Sequence, residues 1–220
     1  VKGDQEHNKL RGGGTIVESG IVAGNTYDKY GSANPVARYL MNGFLENVNT
    51  LIESAQPVSI HEVGCGEGHL SRILCRHGVP IQASDFSTQI IDIARSQEPI
   101  EECQIDWRVA SVYELTPEKD AANLVVCCEV LEHLPDPDAA LEILHRLASP
   151  YLLVSVPREP LWRCLNLLRG KYIWQGGNTP GHVNHWGKKS FIALMGRHFE
   201  ILAVRSPLPW TMILCRRGDT

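Results

Sequence analysis

The stretch His61-Glu62-Val63-Gly64-Cys65-Gly66-Glu67-Gly68-His69-Leu70, HEVGCGEGHL, decides how the rest of the chain is read. It closes an apolar run, VSIHEV (58–63), and opens a helical pattern at 68–77. Glycines at 64, 66 and 68 let the backbone turn tightly and come close to a ligand, and the following helix offers free N–H groups at its start. A glycine-rich loop alone is a weak signal. Two carboxylates sharpen it: Glu62 stands just before Gly64, and Asp85 ends the next apolar run, PIQASD (80–85). An acidic residue at that distance, after the second strand of a βαβ unit, holds ribose hydroxyls.

Working outward, further apolar runs at 105–110, 123–128, 151–156, 199–206 and 210–217 read as strands, with helical patterns at 87–97 and 137–148. Strand and helix alternating in this way predict an α/β fold. It is Rossmann-like and doubly wound, with a mostly parallel seven-stranded sheet and ligands beyond the carboxyl ends of the strands. The last two runs are joined only by a short turn around PLP, which predicts an antiparallel hairpin at one edge. Upstream, Asn34 is placed as an N-cap with Pro35 at the first helical position, and Val36, Leu40, Phe44, Val48 and Leu51 follow at helical spacing. Residues 1–34 read as an N-terminal helical arm, 35–217 as one domain and 218–220 as a tail. The segment 157–190 carries no strand pattern and is too long for a simple connection, so it is expected to be an inserted lid.

At 220 residues and 43% hydrophobic content the chain can bury one sizeable core. Its apolar runs are shorter than a membrane span and its start lacks a secretory core, which predicts a cytoplasmic protein with no membrane partner. Seven cysteines without a C-x-x-C pair indicate neither a disulfide framework nor a cysteine zinc site. The net charge of -4 hides an asymmetry: residues 1–157 carry 11 Lys/Arg against 22 Asp/Glu, and residues 158–220 carry 10 against 3. A basic C-terminal part points to an anionic ligand there, or to a solvated face.

With the loop from Glu62 to Gly68 and Asp85 in place, the chain resembles the class I S-adenosylmethionine-dependent methyltransferases over roughly residues 35–217. The G-x-G-x-G spacing fits that family better than the G-x-G-x-x-G dinucleotide pattern. The resemblance implies that Glu62 lies near the amino group of the methionyl moiety, with Gly64, Cys65, Gly66 and Gly68 packed against it. Asp85 would hold the ribose and Phe86 would lie beside the adenine. Where the family usually has an Asp against the adenine amino group, this chain has Ser111 and Val112. Cys128 and Glu129 fall on the floor between cofactor and acceptor, and Tyr27 and Tyr30 in a region that often folds over the cofactor.

A second cluster sits at Cys127-Cys128-Glu129-Val130-Leu131-Glu132-His133-Leu134. If a helix starts near Glu129, then Glu132 and His133 share its first face, a grouping suited to a metal, to proton transfer or to a helix N-terminus. His182 and His185 follow in the lid. The set resembles the metal-dependent small-RNA 3'-terminal ribose 2'-O-methyltransferases. By that resemblance Glu129, Glu132, His133 and His182 would bind Mg²⁺, Mn²⁺ or Zn²⁺. Ubiquinone-pathway O-methyltransferases have a similar E-x-x-E-H stretch with Mg²⁺. Metal-free relatives use a histidine to orient the substrate or as base, which makes His133, His182 and His185, with Glu129, catalytic candidates; a structural role is the third reading. The leading expectation is methyl transfer to a hydroxyl of a small molecule. Arg158, Arg163, Arg169 and Lys171 favour an acidic, phosphorylated or nucleotide-linked acceptor. The alternatives are a metal-dependent RNA ribose 2'-O-methyltransferase, disfavoured by the acidic first 157 residues, and a non-catalytic cofactor-binding subunit supporting a partner.

Overall fold

Seven strands build one sheet in the computed structural model, which describes residues 16–18, 21–23, 33–97, 100 and 103–218. Tyr27, Tyr30, most of the N-terminal arm and the last two residues lie outside the described residues. Within the arm expected to be helical, the described residues form instead a short antiparallel pair, β1 (Ile16–Glu18) and β2 (Ile21–Ala23), that is not part of the main sheet. The sheet comprises β3 (Ile60–Val63), β4 (Ile81–Asp85), β5 (Ile105–Val109), β6 (Ala122–Cys128), β7 (Ala148–Pro157), β8 (Glu200–Arg205) and β9 (Trp210–Arg216). Its order is β5-β4-β3-β6-β7-β9-β8, and β9 alone runs against the others. Each strand lies within one to three residues of the run that predicts it.

The period of two along the strands sorts the core onto two faces. Val125 and Cys127 of β6, Val154 and Val156 of β7, and Ile213 of β9 pack under α5 (Pro137–Leu147) and α7 (Lys188–Met195). Leu124, Val126, Leu153, Met212 and Leu214 pack on the opposite face. That face is covered by α1 (Pro35–Ala55) and α2 (His69–Leu74) through Phe44, Val48, Leu51, Leu70 and Leu74, while α3 (Thr88–Ser96) follows β4 and the single turn α4 (Pro117–Asp120) precedes β6. Burial on both faces explains why these strands read as continuous apolar runs. Asn34 caps α1 as predicted: its Oδ1 accepts from the N–H of Val36 at 2.9 Å and of Ala37 at 3.4 Å.

Two further expectations are corrected. No helix begins at Glu129, because its φ of 61° is left-handed and a right-handed helix cannot start through it. A single 3₁₀ turn, Leu131–His133, follows instead, and α5 begins at Pro137 with Asp136 as its own N-cap. Cys75 and Cys103 form a disulfide, their Cα atoms 5.7 Å apart across 28 residues of sequence. The fold brings together what no short spacing announces.

The span 157–190, expected to be a lid, is partly helical, with α6 (Leu161–Leu168) and a 3₁₀ turn Ile173–Gln175, and α7 starts inside it. Its second half is fastened to the turn after β6. The Glu132 carbonyl accepts from Val183 N–H at 2.9 Å and Asn184 N–H at 3.0 Å, and Asn184 Nδ2 donates to the Leu134 carbonyl at 2.6 Å. Among the described residues no helix is long and apolar enough to cross a membrane.

Candidate active site

The strand order reverses at β3, which has β4 on one side and β6 on the other, so the connections leaving their carboxyl ends part and open a crevice. A cavity of about 770 Å³ occupies it. One end is walled by Glu62, Gly64, Cys65, Gly66, Asp85 and Phe86, the other by Cys128, Glu129, Glu132, His133, Trp162 and His182. Ser111 and Val112 also line it.

At the first end, the N–H groups of Gly64 and Cys65 both donate to the Ser84 carbonyl, at 2.7 and 3.0 Å, and fold the loop back over β4. The Asp85 carboxylate braces it further, accepting from Gly66 N–H at 3.1 Å and from Ser87 N–H at 3.1 Å. All three loop glycines have positive φ, but they are needed for different reasons. A Cβ at Gly64 would collide with Val130, and one at Gly68 with Trp107 of β5. Gly66 meets nothing within 4 Å and borders the open cavity. Gly68 therefore serves the packing of α2 rather than the cavity wall, which it does not line.

Glu62 is buried and accepts a short hydrogen bond from the Ser71 hydroxyl. Burial pushes its carboxyl up from 4.5 to about 8; the Asp85 charge adds to this and the Ser71 hydrogen bond opposes it. A carboxylate so poorly solvated favours a cation as neighbour. Ser111 is engaged in a capping box: its Oγ accepts from Tyr113 N–H at 3.4 Å, and Glu114 accepts from Ser111 N–H at 2.9 Å.

At the second end the two carboxylates part company. Glu129 accepts from Ser155 Oγ at 3.0 Å and from Trp210 Nε1 at 2.6 Å. Glu132 joins His133 and His182 in a cluster whose potential ligand atoms lie within 4.8 Å of one another. Glu129 is outside that group of three. His133 Nδ1 lies 3.0 Å from the Gly181 carbonyl, an acceptor that fixes the tautomer with the proton on Nδ1. The two imidazoles meet edge to face at 4.8 Å, and Trp162 stacks behind His182 at 6.1 Å. His185 does not line the cavity. Its Nε2 lies 2.7 Å from Asn178 Oδ1, and burial, with Arg163 nearby, holds its pKa below the usual imidazole value.

Of the four basic residues singled out in the sequence at 158–171, Arg169 and Lys171 line the cavity, whereas Arg163 lies 3.6 Å from Glu159 and the backbone of Arg158 pairs with that of Trp186. Trp162 is a cavity wall and donates from Nε1 to Thr179 Oγ1 at 2.9 Å; Trp186 packs on Phe191; Trp174 is fully exposed. Sequence reasoning missed Trp210, which meets Phe44 edge-on at 5.0 Å and Trp162 at 5.9 Å. Nothing local marks it, since its partner Glu129 is 81 residues away.

Residues 36–202 match a methyltransferase domain family. Ubiquinone biosynthesis O-methyltransferase of Xanthomonas euvesicatoria pv. vesicatoria is 34% identical over 133 residues, covering 59% of this chain and 55% of that protein. The same enzyme of Xanthomonas oryzae pv. oryzae (strain PXO99A) is 34% identical over 116 residues, 51% of this chain and 48% of its own. The match thus spans about half the length of these curated relatives. Among solved structures, magnesium protoporphyrin IX methyltransferase from Synechocystis PCC 6803 with bound S-adenosylhomocysteine superposes with a TM-score of 0.63. It is 21% identical and covers 86% of this chain and 90% of that one. The methyltransferase domain of bacterial CtHen1 gives 0.61 at 18% identity, covering 80% and 99%. These two likenesses establish the fold.

Proposed function

Because this chain belongs to the class I S-adenosylmethionine-dependent methyltransferases, we propose that it transfers a methyl group to a hydroxyl oxygen of a small-molecule acceptor held under the lid. The observation that carries this is one continuous cavity that joins a glycine loop and buried acid at one end to a carboxylate and two imidazoles at the other.

The residues present fit the cofactor. Gly66 leaves open space where a Cβ would stand, Glu62 supplies a buried carboxylate for an amino group, and Asp85 closes β4 within reach of the same loop. When bound, S-adenosylmethionine supplies a methyl group activated on a sulfonium. The chain's own task is to bind, align and exclude water, since in-line displacement depends chiefly on placement. Cys128 and Glu129 line the acceptor end together with Trp162 and Trp210. A hydroxyl acceptor must lose a proton, and the cluster of Glu132, His133 and His182 is where it goes. His133, held through Nδ1 by the Gly181 carbonyl, keeps Nε2 as the accepting atom. Arg169 and Lys171 suit an acceptor with an acidic substituent. The names of the relatives, O-methyltransferases of a small-molecule pathway, support the same reading.

One observation favours a second reading of the cluster: a carboxylate and two imidazoles with donor atoms within 4.8 Å match the ligand set of a divalent cation, which would lower the pKa of the acceptor hydroxyl. Glu129 is left out of that set, because Ser155 and Trp210 hold its carboxylate. Turnover of labelled S-adenosylmethionine with hydroxylated and aminated acceptors, with and without EDTA, tests both. Transfer to hydroxyls that survives EDTA supports the histidine base, and transfer abolished by EDTA with cofactor binding intact supports the cation. Transfer only to amines refutes O-methylation.

A further inference from the structure

Five carboxylates line the cavity, and four of them are already engaged. Glu62 accepts from Ser71, Asp85 braces the glycine loop, Glu129 is held by Ser155 and Trp210, and Glu132 belongs to the cluster with His133 and His182. The fifth is Glu114. Its Oε2 accepts from Ser111 N–H at 2.9 Å, which fixes the carboxylate on the 3₁₀ turn after β5, while its Oε1 has no hydrogen-bond partner among the described residues. A carboxylate only accepts, so what this oxygen can still serve is a donor.

The place of that turn in the fold indicates which donor. β4 and β5 run parallel with Asp85 opposite Val109, and Ala110 N–H donates to the Asp85 carbonyl at 2.9 Å, so the chain leaving β5 lies beside Asp85 and Phe86. An acid ending the second strand of a βαβ unit holds ribose hydroxyls. The base on that ribose needs apolar walls for its faces and polar groups at its edge. Phe86 and Val112 both line the cavity and supply the walls, and Glu114 supplies an acceptor. Adenine offers an exocyclic amine, which donates; a 6-oxo purine offers an oxygen at the same place and would meet the carboxylate lone pair to lone pair. Resting on the reading of the glycine-loop end as the S-adenosylmethionine site, we propose that Glu114 selects adenine, its Oε1 accepting from the 6-amino group. The bond from Ser111 N–H makes this a carboxylate already oriented before the ligand arrives.

The test is calorimetry of the full chain with S-adenosylhomocysteine and with S-inosylhomocysteine, which carries an oxygen in place of the 6-amino group. The parent should bind the adenosyl ligand at least about tenfold more tightly, the effect of one hydrogen bond to a charged acceptor. In Glu114→Gln the amide oxygen can keep the bond from Ser111 N–H and present its NH₂ group to the base, so the adenosyl ligand should weaken, the inosyl ligand should gain, and the preference should fall to at most about threefold. In Glu114→Ala the preference should also fall, through loss of affinity for the adenosyl ligand alone. The two ligands are compared within each protein, so any cost of the lost cap to stability cancels from the ratio. A residue that only caps the turn would change both affinities together, and a ratio kept at its parental value in both variants would overturn the proposal. So would a parent that binds the two ligands equally, although the cofactor site would then stand. Binding of neither ligand by the folded parent would refute the cofactor site itself, and the proposal with it.

Discussion

Replacing Glu62 by Gln should stabilise the free protein at alkaline pH while disabling it, and the size of the effect follows from the burial of this one carboxyl. Its pKa stands at about 8 in the folded chain against 4.5 ordinarily. The folded state therefore keeps a proton that the unfolded chain releases. Stability from this group is full below pH 4.5, falls as pH rises, and is lost once pH passes about 8. At about 1.4 kcal/mol per pH unit, the rise from 4.5 to about 8 amounts to at most about 5 kcal/mol. The Glu62→Gln variant has no proton to lose. Its stability relative to the parent should climb between pH 5 and 9 by a few kcal/mol, read from denaturant melts. Binding carries the opposite sign, because an ammonium partner requires the ionised carboxylate. Below pH 8 the parent should release close to one proton on binding S-adenosylhomocysteine, visible as a buffer-dependent enthalpy in calorimetry, and its affinity should rise with pH. The variant should bind at least about tenfold more weakly and without that proton. Parallel stability curves, or equal proton release by the two proteins, would refute the reasoning.

Gly64→Ala should cost about 2–4 kcal/mol in a denaturant melt, from the left-handed φ and the collision with Val130, and adding Val130→Ala should recover part of it. Trp210→Phe removes the Nε1 donor to Glu129 while keeping an aromatic wall, so acceptor KM should rise several-fold with cofactor affinity unchanged; unchanged kinetics would release Glu129 and Trp210 from the site. Reduction of the Cys75–Cys103 bond opens a loop of 28 residues and should lower stability by about 3.5 kcal/mol, measured as parallel melts with and without a thiol reductant.

The sheet was legible because each strand is buried and apolar while the turns between carry glycine, proline and capping residues, as at Asn34-Pro35. The glycine loop was legible for the same reason: φ, capping and an acid at the strand end are local properties. The acceptor side depends instead on contacts distant in sequence. Glu129 and Glu132 looked alike on a presumed helix, and a single left-handed residue sends one to Trp210 and the other to His182. His182 and His185 looked equivalent three residues apart, but the lid loop turns only His182 onto His133. The disulfide escaped detection because its two halves meet only once α2 and the segment before β5 are packed.

Single-turnover transfer from labelled S-adenosylmethionine, compared between the parent and His133→Ala, His182→Ala and His185→Ala, tests the account most directly. The first two variants should lose at least about a hundredfold in transfer with S-adenosylhomocysteine affinity close to the parent's, and His185→Ala should retain its rate. Parental transfer in both His133→Ala and His182→Ala would contradict the assignment of this cavity as the site of methyl transfer.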